Sequence, residues 1–128
     1  MEITLQDAIS ITQQAQSRLE QICREVNREQ IQNLFIDVSD FTCLALECFT
    51  DEVKTEANTK QIEQAIDLLD HVSIRASELS REVFSKSYSI DDYLKTEANK
   101  LKTFTQLVLD VLSIKGPADL YALSLIHI

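Results

Sequence analysis

The fold of this chain is decided by a spacing pattern that is clearest in the stretch QIEQAIDLLDHVSIRASELSREV (Gln61–Val83). Apolar or small residues recur there at alternating intervals of three and four positions, namely Ile62, Ala65, Leu69, Val72, Ala76, Leu79 and Val83. Residues three and four apart lie on the same face of a helix, so this spacing is typical of a helix that buries one stripe. The stretch predicts one long amphipathic helix.

The same spacing recurs in three other registers of the chain. They are Leu5, Ala8, Thr12, Ala15, Leu19, Ile22 and Val26; Ile31, Leu34, Val38, Phe41, Ala45 and Cys48; and Leu94, Ala98, Leu101, Thr105, Val108 and Leu112. A possible N-terminal capping pair precedes each of the four registers. The pairs are Thr4 with Asp7, Asn27 with Gln30, Asn58 with Gln61, and Ser89 with Asp92.

We therefore predict an all-α fold, an antiparallel four-helix bundle with helices near residues 4–26, 28–57, 59–86 and 90–115. The composition agrees, because the chain has one Gly and one Pro, and a β-rich fold needs these residues at its many turns. An alternative left open by the pattern joins the first two helices into one long kinked rod.

The C-terminal residues set the predicted domain boundaries. Gly116 and Pro117 are expected to end the fourth helix, which makes residues 1–116 the helical bundle. Residues 117–122 look like the start of a further helix that is cut short. Residues 123–128 resemble the translation of a transposase adapter used in preparing sequencing libraries, and we interpret them as a processing scar rather than a genuine apolar tail.

Charge and cysteine usage narrow the expected partners. The net charge is −9, with 21 acidic and 12 basic residues and no basic cluster, so we expect binding neither to nucleic acid nor to a membrane surface. The three cysteines form no C-x-x-C motif and predict neither a metal site nor a disulfide framework. Free thiols and the lack of a secretory start favour a cytoplasmic protein.

No catalytic pattern is visible in the chain. His71 is the only histidine before residue 127, and no E-x-x-H pair of the kind that holds metals in helical bundles accompanies it. A nucleophile on a strand-to-helix turn and a glycine-rich phosphate loop are both missing from the pattern. We therefore predict that the visible chain is not an enzyme and has no catalytic residues, cofactor or metal.

The second helix carries the feature that points to a function. Residues 29–56 contain seven acids against the single base Lys54, so this segment contributes −6 of the net charge. It is also apolar on more than one face. The candidate protein-binding surface consists of Asp37, Asp40, Cys43, Leu44, Leu46, Glu47 and Asp51.

Two functions fit this pattern. The first is a non-enzymatic helical interaction module, an adaptor or small acidic regulator, which binds a protein partner or self-associates through the second helix. The second is the N-terminal helical segment of a larger protein, for example an enzyme. Its active part would then lie beyond the point, after residue 122, at which the chain is expected to be truncated. A plainer interpretation of the second helix is a solvated acidic face whose extra apolar residues are covered by the chain after Gly116.

Overall fold

The computed structural model describes residues 4–50, 59–84 and 90–113. Four helices account for most of them: α1 (Leu5–Arg24), α2 (Arg28–Glu47), α3 (Thr59–Glu82) and α4 (Ile90–Leu112), and these residues include no β-strand. The main contacts join α1 to α2, α2 to α3, α3 to α4, and α4 back to α1. The predicted four-helix bundle is confirmed.

Polar contacts between helices show that neighbours run antiparallel. Gln16 on α1 donates to Gln106 on α4 over 3.0 Å, and Cys23, further along α1, donates to Asn99, earlier on α4, over 3.3 Å. The side-chain contacts between α2 and α3 and between α3 and α4 follow the same reversed order. Each helix therefore packs against two antiparallel neighbours.

The helices begin close to the predicted residues, and two of the capping pairs can be seen. The Thr4 backbone N–H donates to the Asp7 carboxylate over 2.8 Å, and the Asn27 side chain accepts from the Gln30 N–H over 3.1 Å. Between them Glu25 is extended, with φ −85° and ψ 143°, so α1 and α2 are separate and the kinked-rod alternative is wrong. Asn58 and Ser89 lie outside the described residues.

The predicted core agrees best with the structure in α3 and α4. Every member of those two registers is buried. In α1 the five residues from Ala8 to Ile22 that belong to the register are also buried. Val26 is a wrong prediction, because it follows the end of α1 and is 76% exposed. Without a further helical turn, its side chain does not reach the buried stripe.

The register predicted for α2 needs a correction near its middle. Phe41 is only partly buried, whereas the neighbouring Thr42 and the unpredicted Phe35 are fully buried. The Phe41 ring lies at the α1 edge of the helix, with the Arg18 guanidinium 5.6 Å from its centroid. Phe41 therefore covers the seam between α1 and α2, where an aromatic ring and a cation attract each other.

The predicted end of the second helix at residue 57 is also wrong. The helix ends at Glu47, after which the Phe49 N–H bonds to the Leu46 carbonyl at 3.2 Å and Phe49 turns into the core, 7% exposed. Cys48 is the last apolar residue of the register, and continuing it would place Glu52 and Thr55 on the core side. The apolar residues of the predicted register therefore stop at the end of the helix.

The other predicted ends differ less. α3 ends at Glu82 with Val83 and Phe84 in a turn, and α4 ends at Leu112 before Ser113. The rest of the predicted helices, the stop at Gly116, the further helix at 117–122 and residues 123–128 lie outside the described residues.

Buried threonines lie between two apolar clusters of the core. One cluster includes Leu19 and Leu101, and the other includes Ala8 and Val108. On three of the helices, a fully buried threonine lies between a residue of one cluster and a residue of the other. These threonines are Thr12, Thr42 and Thr105. Each hydroxyl donates to a carbonyl of its own helix over 2.8 Å, so these hydroxyls are satisfied without linking helices. They form no polar site.

Candidate protein-interaction surface

The side of α2 that faces away from the core carries exposed apolar and acidic residues together. Ile36, Asp40, Cys43 and Glu47 follow one another at intervals of four, three and four, which places them in one outward row. All four are exposed, and Ile36 keeps 43% of its surface accessible. The row therefore combines a β-branched apolar side chain and a thiol with two carboxylates.

The structure separates the residues predicted for this surface. Asp40, Cys43, Leu44 and Glu47 are exposed, with Leu44 at 48%, while Asp51 lies outside the described residues. Asp37 is turned toward α1, where a carboxylate oxygen lies 3.7 Å from Arg18 Nε. Leu46 is partly buried against the second apolar cluster. Four of the seven predicted residues therefore form the open surface.

The outward row of α2 borders the seam with α3. Across this seam the Cys43 sulfur lies 3.1 Å from the Ser73 hydroxyl, and the Gln32 amide donates to the Ser80 carbonyl over 2.9 Å. Ile74, next to Ser73, points outward and is 56% exposed. The face is therefore shared by two helices.

Sequence reasoning missed the two isoleucines of this face. Ile36 and Ile74 both lie outside the apolar registers of their helices. Their position outside the registers was the signal that could have identified them, since an isoleucine opposite a buried stripe has to be exposed in a bundle of this size. The predicted surface was restricted to α2 because the sequence alone does not show which helix lies beside it.

Carboxylates surround this shared face on both helices. Besides Asp40 and Glu47, the exposed acids between Gln61 and Ile74 of α3 are Glu63, Asp67 and Asp70. The chain carries no Lys or Arg from Ile31 to Glu47 or from Gln61 to Ile74. Within the described part of the chain, none of these five carboxylates forms an ion pair. Their charge is open to solvent.

The opposite side of α3 has a different arrangement, centred on Arg75. Its guanidinium donates to the Tyr93 hydroxyl over 2.6 Å and lies 3.7 Å from carboxylate oxygens of Glu82 and Glu97. Burial would lower the pKa of Arg75, but the Tyr93 hydroxyl and the carboxylates of Glu97 and Glu82 outweigh it, so this pKa is raised. Arg75 is therefore a fixed cation that joins α3 to α4.

The structure places His71 against α4 and Cys48 in the core. The His71 ring packs edge-on against Phe104, with 4.8 Å between centroids. Burial, and then the charges of Asp7 and Glu47, raise the pKa of the Cys48 thiol, which disfavours its reactive thiolate. Among the residues that the structure describes, no three His, Cys, Asp or Glu side chains are grouped so that they could hold a metal ion.

Two further observations bear on the site. None of the helices in the described ranges combines the length and apolar character that crossing a bilayer requires. Comparison of the chain with known protein families, with curated proteins and with solved structures finds no match.

Proposed function

We propose that this protein is a non-enzymatic interaction module, an adaptor or small acidic regulator, that binds a protein partner through the outer face of α2. The observation that carries the proposal is the combination of exposed Ile36 and Leu44 with the carboxylates of Asp40 and Glu47, which form no ion pair within the described residues. Exposed apolar residues rimmed by charge are typical of binding surfaces.

Both parts of the face have a role in binding. Burying apolar area contributes about 25 cal/mol per Å², so covering the two side chains favours association. The carboxylates attract a basic partner from a distance and raise its association rate. Because α2 has no Lys or Arg after Arg28, a phosphate backbone or an anionic membrane is a poor match for this face.

The cysteines support a cytoplasmic location as part of the same proposal. Cys23, Cys43 and Cys48 are all free, and Cys43 is exposed on the proposed binding face. An exposed free thiol persists in a reducing compartment, whereas in an oxidising one it is open to disulfide formation.

The proposal can be tested by selecting peptides from a random display library against the protein at low salt. We expect enriched peptides to be basic and to lose at least about tenfold in affinity for a Leu44→Lys variant, which removes an apolar contact and places a cation on an acidic face. Val26→Lys is the matched control, since Val26 is more exposed and lies in the connection between α1 and α2.

Sedimentation of the unmodified protein completes this test, because self-association is the other form of binding proposed. Peptides that bind Leu44→Lys and wild type equally well, together with a protein that stays monomeric at every salt concentration, would contradict the proposed role of α2.

A further inference from the structure

We infer that the outer seam between α2 and α3 is a docking groove for a basic amphipathic helix. The inference rests on the proposed function and deepens it, because it adds α3 to the surface and names the class of partner. Three features of the seam carry it: small side chains along the bottom, an exposed isoleucine on each side, and exposed carboxylates on both helices.

Small side chains line the bottom of the seam. The Cys43–Ser73 contact and the Gln32–Ser80 hydrogen bond mark its course. Ser39 and Ser77 share the helical phase of these residues, being four positions from Cys43 and from Ser73. Between the two contacts the row holds Ser77 on α3, and on α2 it holds Ser39 together with Ile36, which lies toward the outer edge. The two serines leave the seam shallow where a second helix would lie.

Ile36 and Ile74 form the two sides of the groove. On α2, Ile36 lies between Gln32 and Cys43; on α3, Ile74 lies in the matching interval that begins at Ser73. The two contacts across the seam therefore bracket both isoleucines. Since Ile36 is 43% exposed and Ile74 is 56% exposed, each side of the shallow, serine-lined channel presents apolar surface. Apolar anchors spaced along one face of a helix fit such a channel.

The charges select a basic partner. Asp40 and Glu47 on α2 and Asp70 on α3 are exposed and unpaired within the described residues. At the far end of the seam Arg81 donates to the Ser77 hydroxyl over 3.3 Å, which limits the acidic region on that side. The complementary ligand is a helix with Lys or Arg flanking an apolar stripe.

A second copy of this chain is the less favourable occupant. The net charge of −9 makes two copies repel each other, and Lys100, the most obvious cation of α4, already lies 3.6 Å from Glu97. The seam is therefore assigned to a different, basic protein segment.

The probe for this groove is an 18-residue peptide of Leu and Lys with leucines spaced to form one helical face. A peptide of the same composition, ordered so that no apolar face forms, controls for net charge. We expect the amphipathic peptide to bind at least about tenfold more tightly, measured by fluorescence anisotropy with a labelled peptide, since only it can bury an apolar stripe. Equal binding of the two peptides would overturn the inference.

Variants of the protein then test whether the peptide contacts both α2 and α3. Ile36→Gln and Ile74→Gln are each expected to weaken binding about five- to tenfold, because each removes an apolar side of the groove. Phe84→Gln is the matched control, since Phe84 is 57% exposed but lies beyond the end of α3. Circular dichroism and thermal melting establish that each exposed-site variant is folded.

Charge variants separate groove binding from general attraction. Asp40→Asn combined with Asp70→Asn should weaken binding and flatten its salt dependence, whereas Glu20→Gln on the exposed side of α1 should leave both unchanged. If Ile74→Gln and Asp70→Asn have no effect while Leu44→Lys still abolishes binding, the groove is overturned and the proposed function of α2 stands. Failure of the Leu44→Lys test itself counts against the proposed function.

Discussion

The two sides of α3 use their charges in opposite ways. Toward α4, Arg75 gathers the Tyr93 hydroxyl and the carboxylates of Glu82 and Glu97 into one cluster between helices. Toward α2, serines line the seam, and the carboxylate of Asp70 beside it remains unpaired within the described residues. One helix therefore has one closed side and one open side.

The difference separates charges that stabilise the bundle from charges that are available to a partner. A partly buried cation with several acceptors contributes to stability, because removing it leaves desolvated carboxylates without compensation. Unpaired carboxylates on an exposed face contribute little to folding and can change at small cost. Acidic residues alone do not indicate a binding surface; the position of the nearest cation decides which ones are free.

The core between the two sides should show the largest effect. Leu69 is fully buried, and Leu69→Asp places an unpaired charge there, so we expect a loss of more than about 4 kcal/mol, enough to unfold the domain. Circular dichroism and chemical denaturation measure the change. Asp67→Asn, two residues away and exposed, should melt like the parent; a folded Leu69→Asp protein would contradict the assigned register.

The closed side should give the next largest effect. The Arg75 side chain is 24% exposed and that of Glu97 is 15% exposed, so this network is intermediate between surface and interior. We expect Arg75→Met to lower the free energy of unfolding by about 1–3 kcal/mol, because Glu82 and Glu97 lose their cation. Urea denaturation provides the measurement.

Two controls accompany the Arg75 variant. Arg81→Met removes an exposed arginine from the same helix and should change stability by less than about 0.5 kcal/mol. Adding Glu97→Gln to Arg75→Met should recover part of the loss, since the uncompensated charge is gone. Equal destabilisation by Arg75→Met and Arg81→Met would show that the network does not hold α3 to α4.

The thiols provide a smaller contrast, in reactivity. Cys43 is exposed on the open seam, whereas Cys48 is 6% exposed and burial, together with Asp7 and Glu47, raises its pKa. Since the thiolate reacts, a raised pKa means less reactive Cys48 at pH 8, and we expect Cys43 to react with iodoacetamide at least about tenfold faster. Mass spectrometry of timed samples gives both rates, with urea-unfolded protein as the control; similar rates in the folded protein would contradict the burial of Cys48.

The smallest effect on stability is expected on the open seam. Ile36→Gln and Ile74→Gln replace side chains that are about half exposed, so each should change the free energy of unfolding by less than about 0.5 kcal/mol. Thermal melting of the two isoleucine variants, measured alongside Arg75→Met, tests this directly. A loss as large as that of Arg75→Met would mean that the isoleucines serve the fold and are not held open for a partner.

Much of the fold could be predicted because the buried stripes of α3 and α4 are regular. Each apolar residue of those registers has a neighbour three or four positions away, so only one face can be buried. In α2, Phe41 and Thr42 both lie on the core half of the helix, and spacing alone does not choose between them. The choice depends on Arg18, a residue of another helix that holds the Phe41 ring at the edge.

The candidate site was less predictable for the same reason. Asp37 and Asp40 look equivalent in the sequence, but Arg18 on α1 pairs with Asp37 and leaves Asp40 exposed. Ile74 joins the surface only because α3 lies beside α2, which is a property of the topology. The Arg75 network was not predicted, but the sequence holds a signal for it. Arg75, Glu82 and Glu97 each directly precede a core residue, and interhelical ion pairs in coiled coils form at such flanking positions.

The most direct test of the contrast between the two sides of α3 is a map of peptide binding on the isotope-labelled protein. Backbone amide chemical shifts are followed by nuclear magnetic resonance as the amphipathic Leu–Lys peptide is added. We predict that the largest changes occur at Ile36, Cys43 and Ile74, with little change at Tyr93 and Glu97. Changes concentrated at Tyr93 and Glu97, or spread evenly around the four helices, would contradict an open α2–α3 seam.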